Sequence, residues 1–126
     1  MNTIVNFKIA ELLKKAGYDN VTDLIYMTNH TEEVLFENIN GLKHSDGNNP
    51  FCSAPTIAEV VMWLYEKHDR WIYVNYDHGL FHCFMQSTFY KDLDEEDSRF
   101  HNLFNYKTPA EAYLVAIEYV LKNLTS

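Results

Sequence analysis

Cys52 and Ser53 are the residues best placed for nucleophilic chemistry. Both precede an expected helix start at Pro55-Thr56, where the positive end of a helix dipole can lower a thiol pKa. A nucleophile needs a base, and His68 or His78 would have to supply it. The competing reading is plain: Ser53 caps the helix and Cys52 packs in a core. No Gly-x-Ser-x-Gly elbow surrounds them. An enzyme built on Cys52 or a histidine site is therefore the alternative reading, not the favoured one.

Metal chemistry has less support. His78 and His82 are the nearest approach to a ligand pair, but residues four apart on a strand are ~13 Å apart. Zinc needs its donors within about 2 Å of the ion. His82 and Cys83 are neighbours and should point to opposite faces of a strand. Asp92, Asp94 and Glu96 alternate as in a calcium loop, but Asp97 stands where glycine is required and Leu103 where the bidentate glutamate belongs. A solvated acidic loop over 92–97 is the simpler reading. Glu32-Glu33 and the 94–97 run supply acids without a defined separation, so glycosidase geometry cannot be argued. The four glycines sit at isolated turns and make no phosphate cradle. No cofactor and no catalytic or metal residue is assigned.

What remains is surface. On a strand over 71–77, Trp71, Tyr73, Asn75 and Asp77 share one face, and Ile72, Val74 and Tyr76 the other. The second set reads as core; the first is amphipathic and suits either a binding face or a helix cover. On the last helix, Ala112, Val115 and Tyr119 lie away from the main apolar stripe, as Met62 does on the helix before the hairpin. If contiguous, such residues mark a partner surface. The candidate partner surface is thus Trp71, Tyr73, Ala112, Val115 and Tyr119.

The elements that must position these residues are legible in part. A first helix is expected over about 3–16, with Val5, Ile9, Leu12, Leu13 and Ala16 on one face, Lys14 and Lys15 in the last turn and Gly17 as its stop. Leu24–Met27 and Val34–Phe36 resemble short strands around a polar turn at 29–31. Gly41–Pro50 is a loop by composition. A second helix over about 55–68 begins with Thr56 and Glu59 at capping-box spacing and buries Ile57, Val60, Val61 and Leu64. Trp71–Tyr76 and Leu80–Met85 flank the turn Asp77-His78-Gly79 and form a hairpin over about 71–86. A short third strand fits 103–106. A last helix over about 108–123 opens on Thr108-Pro109-Ala110-Glu111 and carries Ala110, Tyr113, Leu114, Ile117, Val120, Leu121 and Leu124 along its apolar face. The order predicts an α+β fold, a small antiparallel sheet packed on three helices, as a single domain over 1–126.

Composition narrows the functional classes. The 126 residues are 47% hydrophobic and 15% aromatic, enough for one core. A net charge of -8 disfavours nucleic acid, whose phosphates are held by Lys and Arg, and disfavours an anionic membrane surface. Two cysteines make no disulfide framework, and the first residues carry no signal-peptide pattern. No apolar stretch is long enough to span a bilayer. These features lead to an expected cytoplasmic location.

Cys52–Thr56, the helix with Trp63-Leu64 ending at Glu66-Lys67-His68, the strand Trp71–Val74 and the closing Tyr106–Ala112 together resemble small uncharacterised α+β proteins of phages and mobile elements of Bacteroidetes-type bacteria. Glu11–Asp19 is similar to the N-terminal helix of that family. The likeness covers 8–20 and 52–122. The helix–hairpin–helix order also resembles, more loosely, phage α-β-α sandwich domains. The resemblance implies fold and a setting in a bacterial cell or a phage-infected host; it assigns no activity and no site residue. The reading that follows is a non-catalytic binding or protein-interaction module, with a protein partner or self-association.

Overall fold

In the computed structural model, residues 3–27, 35–38, 41, 51–86 and 106–125 are described. In chain order they form α1 (Phe7–Lys15), β1 (Leu24–Met27), β2 (Leu35–Glu37), β3 (Phe51–Ser53), α2 (Ile57–His68), β4 (Trp71–Asp77), β5 (Leu80–Gln86) and α3 (Pro109–Thr125). The fold is α+β, with small antiparallel sheets packed against helices. The chain divides into two compact units, one of Met1–Thr3 with Ile57–Val120, the other of Ile4–Thr56 with Leu121–Ser126.

The unit of Ile4–Thr56 is built on a sheet of order β2-β1-β3. The expected pairing of 24–27 with the 34–36 region is present as Leu24↔Glu37, Ile25↔Phe36 and Tyr26↔Leu35. The strand β3 has no counterpart in the expectations. It pairs Cys52 with Tyr26 on the other side of β1. Thr22 ties the sheet together: its hydroxyl donates to Leu24 O at 2.6 Å and accepts from Ala54 N at 3.3 Å, while its carbonyl accepts from Asn38 Nδ2 at 2.9 Å.

The first helix starts later than expected. Residues 3–5 are extended rather than helical, because Ile4 pairs with Thr56 and Val5 N donates to Pro55 O at 3.0 Å. The Val5 carbonyl is taken by the Tyr26 hydroxyl at 2.8 Å. Asn6 is then the cap, its side-chain oxygen accepting from Ile9 N at 2.9 Å. The C-terminal end is as expected. Gly17 sits at φ 92°, Tyr18 N donates to Leu13 O and Gly17 N to Lys14 O, which is the Schellman closure that a left-handed glycine permits. Ile9, Ala10, Leu13 and Tyr18 are buried, and α1 packs on β3.

The other unit contains α2, the β4–β5 hairpin and α3 through Val120. Ile57, Val60, Val61 and Leu64 are buried as expected, joined by Trp63. The leading amide of α2, Ile57 N, donates to Thr3 O at 2.8 Å. The helix ends at His68 on Asp69, which takes φ 55° while Arg70 N closes onto Leu64 O at 3.1 Å. The hairpin keeps its expected limits. Its two-residue loop, His78-Gly79, has φ 52° and 81°, the paired positive values of a type I′ turn. That turn fixes the register Asp77↔Leu80, Asn75↔His82, Tyr73↔Phe84 and Trp71↔Gln86 on one face.

In this register the backbone groups of Val74 and Phe81 point outward from the ribbon. Both edges are engaged there. Phe81 exchanges two hydrogen bonds with Tyr106, at 2.8 and 3.1 Å, and the Val74 backbone bonds the Tyr113 side chain of α3. Of the expected strand 103–106, Tyr106 forms this single bridge and the rest lies outside the described residues. The final helix opens as expected, with Thr108 Oγ accepting from Glu111 N at 3.2 Å.

Candidate interaction surface

The two faces of the hairpin differ. On the Ile72 face, Ile72 and Cys83 are buried and Val74 is half-buried. Tyr76, expected in the core, is instead 67% exposed, because burial falls away toward the hairpin tip. On the Trp71 face nothing is buried: Trp71, Asn75, Asp77 and Gln86 are exposed, and Tyr73, Leu80, His82 and Phe84 are half-buried. Among the described residues that face is the more exposed of the two.

The Trp71 face is knitted by rings. Tyr73 stacks on its cross-strand partner Phe84, with centroids 5.2 Å apart. Trp71 meets Tyr65 of α2 edge-on, with centroids 5.3 Å apart. Tyr65 and Met62 are one helical turn apart and are 46% and 45% exposed, so the apolar surface runs from α2 onto β4. Tyr65 and Phe84 were not among the expected surface residues. Both had a signal: Tyr65 lies off the buried stripe of α2 beside Met62, and a two-residue turn at 78–79 sets Phe84 opposite Tyr73.

The residues expected on α3 behave differently. Ala112 is fully buried and cannot line a surface. The buried positions of α3 are Ala112, Ala116, Ile117, Val120 and Leu121, an arc turned toward Ala112 from the one that the larger apolar side chains suggested. Val115 is half-buried and Tyr119 exposed, one turn apart on the same helix.

The candidate nucleophiles are not presented. Cys52 and Ser53 lie within β3, not at a helix N-terminus, and both are buried. Burial pushes the Cys52 thiol up, with Glu11 adding and Lys14 opposing. Lys14 instead holds the strand, donating to Phe51 O at 2.9 Å with its ammonium 6.0 Å from the Phe51 ring centre. Burial likewise pushes Cys83 up to about 11. His68 sits edge-on to Trp63 at 4.8 Å and is held below its usual value by desolvation and by Arg70. His78 is at the hairpin tip beside Asp77, 2.6 Å away. Among the described residues no three His, Cys, Asp or Glu side chains gather as for a metal ion. The acidic run 92–97 and Glu32-Glu33 lie outside the described residues. Among the described residues no helix is long and apolar enough to cross a membrane.

Comparison with protein-family models, with curated proteins and with solved structures gives no match.

Proposed function

We propose that this chain is a non-catalytic protein-interaction module whose working surface is the Trp71 face of the hairpin, continued onto α2. One observation carries the reading: Trp71 and Tyr65 are held edge to face, centroids 5.3 Å apart, while remaining 38% and 46% exposed. Large rings ordered before binding lose little freedom when a partner arrives, and aromatic anchors dominate interface energetics. The buried, proton-retaining Cys52 thiol supports a binding role over nucleophilic chemistry. The likeness to phage and mobile-element proteins, together with two free buried cysteines, supports action in the cytoplasm of a bacterial cell or a phage-infected host.

The test compares the native chain with Trp71→Ser in affinity capture from bacterial lysate and in light scattering. The expected result is a partner, or a concentration-dependent mass, that the variant loses. A monomer that retains the same proteins with and without Trp71 would overturn the reading.

A further inference from the structure

We draw no further inference here: the strongest candidate, the exposed edge strand β2 of the three-stranded sheet, has nothing among the described residues to show what would cover Leu35 and Phe36.

Discussion

Cys83 and Trp71 sit three strand positions from each other's cross-strand partners, on opposite faces of the hairpin, and their surroundings are opposite. The Cys83 side chain lies on the covered face and is inaccessible, so its thiol is pushed up to about 11. The unfolded chain releases that proton near 9.0, the folded chain only near 11. Stability is therefore unaffected by this group below pH 9 and falls as pH rises from 9 toward 11, on the order of 2–3 kcal/mol over the window. Cys52, Tyr106 and Tyr113 shift in the same direction and steepen the decline. Denaturant melts at stepped pH should show this alkaline limb, and Cys83→Ala should flatten it; a limb unchanged in the variant would refute the assignment. Both thiols should also resist alkylation in the native chain and react once it is unfolded. The burial of Cys52 agrees with its reading as a core residue, but the strand that buries it was hidden in the sequence, because Pro50 and Pro55 suggest a loop leading into a helix. The strand Phe51–Ser53 is only three residues long and is specified by pairing with β1, a partner distant in sequence.

Elements marked by local chemistry were legible. Thr108 with Glu111, Gly17 after Lys14-Lys15, and His78-Gly79 between two apolar, aromatic-rich runs each fix a boundary through atoms a few residues apart. The start of α1 was not legible, because Val5 is drawn out of the helix by Pro55 and Tyr26. The buried arc of α3 was misjudged at Ala112, since large side chains dominate a periodicity reading while small ones mark where backbones are covered closely. The hairpin turn gives a paired test. Gly79 has open space for a Cβ but a φ of 81°, so Gly79→Ala should cost about 1 kcal/mol through backbone strain alone. His78, at φ 52°, should gain up to about 0.5 kcal/mol as His78→Asn, which tolerates that region better. Urea midpoints moving in the same direction for both variants would contradict the type I′ geometry. At the other end of the chain, Asn6→Ala should cost about 1 kcal/mol by removing the cap of α1.

For the whole molecule, the α+β class followed from the alternation of two clear amphipathic helices with one clear hairpin, and it holds despite the missed strand. The proposed partner surface was legible only at Trp71 and Tyr73, which follow from strand alternation, whereas its continuation onto Tyr65 depends on how α2 turns into β4 at Asp69. The net charge of -8 acts at this scale as well, since on the proposed reading an acidic chain meets a basic surface faster than a neutral one would. Binding to such a surface should accordingly weaken with salt, while the Trp71 contribution persists at high ionic strength because stacking is less screened. The central claim is that the Trp71 face of the hairpin is where a partner sits. The most direct measurement is affinity capture with light scattering on the native chain and on Trp71→Ser, both shown to be folded. A partner, or a concentration-dependent mass, that the variant loses is expected; a monomeric mass and the same captured proteins for both chains would contradict the account.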